Sequence, residues 1–450
     1  MAFTATQIPG IDKRHFPAEL CHNDMNGNKY PNGLDIFPED DLEDVIARTG
    51  ANTCVLAYSD LAYDTVQKLA ARVNAAGCKF VQLPPHMTMV ESTKPVVAVC
   101  ASRTGVGKSQ TSRYIARYFH SKGLKVAAIR HPMPYDQNLL SQRCQRYETE
   151  SDMDKYKCTI EEREEYFGHI RDGTLLFAGV DYEMILHEAE KEADIILWDG
   201  GNNDCSFYKP DLYITLVDSL RPTDQEHYYP GEINVRISDM ILLSKVDPEK
   251  GLQQAAKHAE ALQPLLRPST PVLYGGSTIK PEAINANSGE PMTEQEAANL
   301  VKGKKVLVID DGPTLTHGGM AYGAGYVMAQ KLGAAEIVDP RPYAKGSLKK
   351  VFEKFTHLTN VLPAMGYGDE QIKDLEATIR ATPCDAIVIG TPSDFTHVLN
   401  LRNVPYVMAR YELEIVTEKD KQTFHHMLDS FYDKAAKAKK TPRAEKGKSV

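Results

Sequence analysis

Short apolar runs alternate with helix-length amphipathic segments from about Pro95 to Gly390. The runs are PVVAVCA (95–101), LKVAAIRH (124–131), ADIILWDGG (193–201), LYITLVD (212–218), MILLSKVD (240–247), PVLYGG (271–276), KKVLVIDDG (304–312), AEIVDP (335–340) and DAIVIGTP (385–392). A strand with one wet face would alternate apolar and polar positions; these runs do not. They predict parallel strands buried on both faces by intervening helices, an α/β, doubly wound architecture.

The pattern divides the chain into sections. Residues 1–92 hold NTCVLAYSD (52–60), an amphipathic helix through Ala71 and CKFVQLPP (78–85), and predict a small Rossmann-like N-terminal domain. Residues 93–277 form a core of mostly parallel strands, and residues 278–433 a C-terminal α/β substrate-binding region. The acidic stretch ETESDMDKYKCTIEEREE (148–165) predicts a solvated helical insertion. Residues 434–450, basic and without an apolar face after Ala438, predict a disordered tail.

Composition narrows the function. The formal net charge of −9 weighs against a nucleic-acid partner, yet a local cluster of cations and backbone amides still suits a small anionic substrate. No apolar run approaches the roughly 18 residues of a membrane span, so no membrane partner is expected. The eight cysteines are scattered, without a CxxC pair, which predicts reduced thiols and a cytoplasmic setting.

Chemistry concentrates first at PVVAVC–ASRTGVGKS–QTSRYIARYFH, a strand, a loop and a helix. A phosphate loop needs small residues whose N–H groups turn toward the β-phosphate, a lysine for the β- and γ-phosphates and a hydroxyl for Mg²⁺. Gly105 and Gly107 supply the backbone freedom, Lys108 the charge and Ser109 the metal-ligating hydroxyl. Ser102, Thr104, Val106 and Gln110 complete the nucleotide-binding stretch, with the positive helix N-terminus behind it. Where the pattern GxxxxGK[ST] has its first glycine, this chain carries Ser102. The loop resembles GKGGVGKT of the SIMIBI class, in which the second residue is a lysine that reaches a partner subunit's nucleotide. Arg103 stands at that place, and the resemblance implies a homodimer in which it offsets charge on the transferred phosphoryl group.

A Mg²⁺–nucleotide site also needs a carboxylate at the end of a neighbouring strand. Asp199, closing ADIILWDGG, is the candidate metal and catalytic residue, and Asp136 occupies a switch-like position after LKVAAIRHPMPY. In LLSKVD, Lys245 and Asp247 match two of the positions by which [NT]KxD grips guanine, so ATP is the expected cofactor and GTP stays open. A second anion site is expected in KKVLVIDDGPTLTHGGMAYGAGY, where Thr316, His317, Gly318 and Gly319 follow a strand that ends in two aspartates. Arg341, Arg130 and His131 end other strands and are candidate substrate contacts.

AFTATQIPGI, RTGVGKSQTSR, IRHPMPY, WDGGNND, PGEINVR, DDGPTLTHGGMAYGAGY and EIVDPRPYAKGS together resemble the cyclic 2,3-diphosphoglycerate synthetase family, over about Phe3 to Leu413. The resemblance implies a SIMIBI-type P-loop NTPase core between an N-terminal Rossmann-like domain and a C-terminal α/β region. It also implies ATP- and Mg²⁺-dependent closure of 2,3-diphosphoglycerate into a cyclic phosphoanhydride. The alternative that SKVD leaves open is a GTPase switch or assembly factor of the SIMIBI class.

Overall fold

Each apolar run becomes a strand because its β-branched and aliphatic side chains fit a pleated surface covered on both sides. In the computed structural model the described residues are 1–6, 15–21, 29–131, 138–283, 292–316, 321–364, 369–391, 401 and 404–440. They gather into two compact units. One holds the described residues of Met1–Glu148, Asp172–Gly276 and Ile415–Val450, the other those of Thr149–Arg171 and Ser277–Glu414.

In the first unit the strand order is the start of Val272–Glu282 (as far as Gly276), Met240–Ser244, Leu212–Asp218, Val96–Ala101, Ile195–Asp199, Val126–Arg130, Leu175–Ala178 and Gln145–Tyr147. Every pairing is parallel except the last. The central strands are wholly buried, with Trp198, Phe177, Ile185 and Tyr208 filling the layer between sheet and helices. Strand register sets Asp199 beside both Val99 and Arg130, which brings the carboxyl ends of three strands to one edge.

The helix Lys108–His120 follows the phosphate-loop strand and packs against the C-terminal helix Glu418–Lys440. Tyr118 stacks on His425 with ring centroids 4.5 Å apart, Phe119 meets Phe431 edge-on at 6.1 Å, and the Tyr118 hydroxyl donates to Asp429 at 3.0 Å. The C-terminal helix runs to Lys440 and buries Ala435, so the tail expected to be disordered from Lys434 is helical at its start. Residues 441–450 lie outside the described residues.

The N-terminal section is built on short parallel pairs of its own, Phe3–Ala5 with Leu34–Pro38 and Thr53–Val55 with Lys79–Val81, with helices Leu42–Thr49 and Tyr63–Ala75. Leu61–Ala62 pairs antiparallel with Tyr228–Tyr229, which ties the section to the loops of the core.

In the second unit Lys305–Asp311 runs parallel to Glu336–Ile337, Leu362–Ala364 and Ala386–Gly390, and the last of these runs parallel to Tyr406–Ile415. Val306, Leu307, Val308, Ile387 and Val388 form its core with helices Glu294–Val301, Ala324–Lys331 and Ser347–Lys354. The acidic segment corrects its sequence reading. It forms helices Glu150–Lys155 and Ile160–Arg171, and Met153, Tyr166, His169 and Ile170 are buried, so one face belongs to this unit rather than to solvent. Among the described residues no helix is long and apolar enough to cross a membrane.

Candidate functional site

The strand Val96–Ala101 feeds a loop whose turns require Gly105 at φ +79 and Gly107 at φ +100, a region open to glycine and strained for other residues. Val106 is buried and pins the loop, while Thr104 and Gly105 are exposed and Lys108, Ser109 and Gln110 half-buried on the first turn of the helix. Ser102 is buried; its N–H donates to the Leu216 carbonyl at 2.9 Å. Its carbonyl accepts from Asn203 at 3.4 Å and lies only 2.2 Å from where a Cβ on Gly231 would sit. Ser102 therefore meets its neighbours through the backbone.

Opposite the loop, Asp199 is fully buried and its Oδ2 lies 3.0 Å from Arg130 Nη1, itself 3 % exposed. A buried carboxylate and guanidinium held side by side by strand register keep both charges where bulk water does not screen them. After Asp199 the chain turns through GGNND. Lys108 Nζ donates to the Asn202 carbonyl. His131 Nδ1 faces Asp204 Oδ2 at 3.3 Å, and Asp204 Oδ1 accepts from the Ser59 hydroxyl at 2.5 Å. Burial alone would push the Asp204 carboxyl up; the hydrogen bond and charge of His131, with help from Ser59 and Lys108, outweigh it and hold the group below the usual carboxylate range.

Three residues that the sequence reading passed over knit this edge together. Asn234 donates to the carbonyls of Ala101 at 2.9 Å and Asn203 at 2.8 Å, and accepts from Tyr213 at 2.6 Å. Asn203 accepts the Asp60 N–H at 2.8 Å, and Asp60 in turn accepts from the Thr104 hydroxyl at 2.7 Å. Most of these partners lie more than 30 positions away, so no local motif marks them.

Arg103 is held inside its own chain. Its guanidinium lies 3.8 Å over the Tyr228 ring centroid and 3.5 Å from Asp224. Arg221, also unforeseen, donates to Asp218 at 2.8 Å and to the Thr104 carbonyl at 3.4 Å, which adds a second guanidinium beside the loop. Lys245 reaches the same Asp218 at 2.8 Å. Burial would raise Asp218; Lys245, the Leu220 N–H and Arg221 together lower it. Asp247 accepts the N–H groups of Glu249 and Lys250 through Oδ1, at 2.8 and 3.1 Å, so the carboxylate expected to read guanine caps its own turn.

In the second unit a carboxylate of the chain's own meets the amides at the start of helix Ala324–Lys331. Asp310 accepts from the N–H groups of Gly323, Gly325 and Tyr326 at 2.8, 2.7 and 3.3 Å, at the start of helix Ala324–Lys331. Gly323 and Gly325 belong to the same glycine-rich stretch; Gly318 and Gly319, the glycines expected to contact a ligand, lie outside the described residues. Burial, against the pull of those amides, pushes the Asp310 pKa up to about 6. Thr316 donates back to the Gly312 carbonyl, and Arg341 forms a bidentate pair with Asp339, its nearest contact 2.7 Å. His317, Gly318, Gly319 and Asp136 lie outside the described residues. Among the described residues no group of three or more His, Cys, Asp or Glu side chains is arranged to hold a metal. The oxygens of Ser109, half-buried on the first helical turn, and Asp199, buried beside Arg130, are donors of the hard class that Mg²⁺ takes.

No protein-family model matches the chain. It is 51% identical over 419 residues to the arginine synthetase ArcE of Thermococcus kodakarensis, covering 92% of this chain and 87% of that protein. Among solved structures it is similar to LpxK of Aquifex aeolicus in complex with ATP (TM-score 0.47, 11% identity, 86% of this chain and 99% of that one). HypB of Helicobacter pylori in complex with nickel shares 13% identity at TM-score 0.25, over 40% of this chain and 78% of its own.

Proposed function

The chain belongs to the family of the arginine synthetase ArcE, and from that premise we propose that this nucleotide-dependent ligase builds the guanidinium group of arginine. Such a group forms when a nitrogen replaces the oxygen of a ureido carbon, and oxygen leaves readily only after it carries a phosphoryl group. The supporting observation is the pairing of a phosphate loop, centred on Lys108, with the buried Asp199 and Arg130 at the neighbouring strand ends, within a chain 51% identical to a synthetase. Loop amides and Lys108 would bind the phosphates; Arg130 and Arg221 add cations where charge gathers. Ser109 and Asp199 would hold Mg²⁺, which when bound offsets phosphate charge. ATP is the expected cofactor, because Asp247 spends an oxygen on its own turn. The expected setting is cytoplasmic.

Incubation with Mg-ATP, citrulline (the ureido counterpart of arginine) and ammonium tests this. Arginine, ADP and phosphate should appear in equal amounts, each reactant being required. A second reading is closure of 2,3-diphosphoglycerate, supported by the long DDGPTLTHGGMAYGAGY-type resemblance and served by the same loop. Phosphorus NMR with that substrate separates the two: a cyclic anhydride and no arginine would replace the first reading with the second.

A further inference from the structure

The segment after the buried Asp199 does more than turn the chain. His131 directly follows the strand Val126–Arg130, and its ring packs on Gly201, where an added Cβ would approach within 2.8 Å. The absence of a side chain at Gly201 leaves the space that the imidazole occupies. Its Nδ1 faces Asp204 Oδ2 at 3.3 Å, and Asp204, 8 % exposed, is itself anchored by Ser59 at 2.5 Å from the N-terminal section. Lys108, the phosphate-loop lysine, is close enough to act electrostatically on the same carboxylate and donates to Asn202, two residues before it. A histidine whose Nδ1–H points at a buried carboxylate presents its lone pair on Nε2. Carboxylate, imidazole and phosphate-loop lysine thus stand in one cluster.

On the arginine-forming reading, on which this step rests, we propose that His131 is the proton acceptor for the incoming nitrogen nucleophile, with Asp204 and Ser59 as its positioning residues. Phosphoryl transfer to the ureido oxygen needs charge neutralisation and no base, because that oxygen carries no proton. The second step does need one. As the new N–C bond forms, the nitrogen becomes cationic; Nε2 of His131 takes its proton. The C–O bond to the phosphoryl-bearing oxygen then breaks, its electron pair leaving with inorganic phosphate, which receives the proton in turn. Arg130, adjacent in sequence, is committed to Asp199, which leaves His131 for the second step.

The two steps are separable by experiment. Exchange of ¹⁸O between the bridge and non-bridge positions of ATP reports reversible phosphoryl transfer in the absence of ammonium; arginine formation reports both steps. In His131→Gln, ureido-dependent exchange should persist within about 3-fold, while arginine formation falls roughly 10²-fold or more, the scale of a lost general base. Asp204→Asn and Ser59→Ala, which leave the ring in place, should lower arginine formation less, by about 10-fold or under, again sparing exchange. Added imidazole should partly restore His131→Ala. Loss of exchange and arginine formation in parallel across all three positions would assign the cluster to binding or folding and overturn the proposal, as would undiminished arginine formation in His131→Gln. Wild-type enzyme that shows neither exchange nor arginine would instead sink the functional reading itself, and the base with it.

Discussion

At the scale of single residues, the most informative positions are those where a small change meets something immovable. Gly231 is one, because a methyl group there would lie 2.2 Å from the Ser102 carbonyl at the mouth of the phosphate loop. Gly231→Ala should displace that carbonyl, weaken Mg-nucleotide binding at least about 10-fold and destabilise the protein by roughly 1–3 kcal/mol, as overpacking does. Calorimetric titration and thermal melts check both. Lys108→Ala should lose over 100-fold in nucleotide affinity with an unshifted melting temperature, since its half-buried side chain adds little to the core. Asp310 gives a pH prediction. Its pKa is raised from 3.8 to about 6, so folding favours the protonated form. Its contribution is fully present below pH 3.8 and disappears as pH rises through 6, a change on the order of 3 kcal/mol. The melting temperature of wild type relative to Asp310→Asn should fall between pH 4 and 6 and level off above. A flat difference would mean that the three amides offset burial completely.

At the scale of elements, legibility followed distance along the chain. The parallel strands and the phosphate loop are local patterns, and each lies where its residues predicted. The strand Gln145–Tyr147 escaped notice because it is short and bears Arg146 between Gln145 and Tyr147, and Tyr406–Ile415 because it carries charged residues along its length. In the Gly-rich stretch after Asp311, Gly323 and Gly325 turn their N–H groups onto Asp310 of the preceding strand, a pairing that glycine spacing does not disclose. Asn203, Asn234, Asp60 and Arg221 were invisible for the same reason: each acts on a loop far away in sequence. Helix packing yields a prediction of its own. Phe424 is fully buried on the C-terminal helix and meets Tyr114 of the phosphate-loop helix edge-on at 5.8 Å. Phe424→Ala should cost about 3–5 kcal/mol by opening a cavity there. It should also weaken nucleotide binding several-fold, because the helix that presents Lys108 loses its backing. Denaturant melts with and without Mg-ATP would separate these effects; an unchanged nucleotide affinity at reduced stability would show that the helix start is rigid by itself.

At the scale of the whole molecule, the first unit contains every described element of the phosphate site, although it is assembled from three stretches of chain. Ligand that binds only the folded form stabilises it by mass action, by about 2.7 kcal/mol at a hundredfold excess over Kd. Hydrogen exchange should report where that free energy goes. With Mg-nucleotide, protection should rise around 101–109, 199–204 and 218–234. It should rise also around 59–60, more than 40 residues ahead of the loop, because Asp60 accepts from Thr104 and its N–H is held by Asn203. Asp60→Ala should abolish that distant protection while leaving the loop's own protection largely in place. Protection confined to 101–109 in the wild type would mean that the N-terminal section is attached to the nucleotide site without responding to it. Protection at 59–60 would make the section that carries Ser59 part of the switch between empty and loaded enzyme, since Ser59 and Asp60 are consecutive and contact Asp204 and Thr104 respectively.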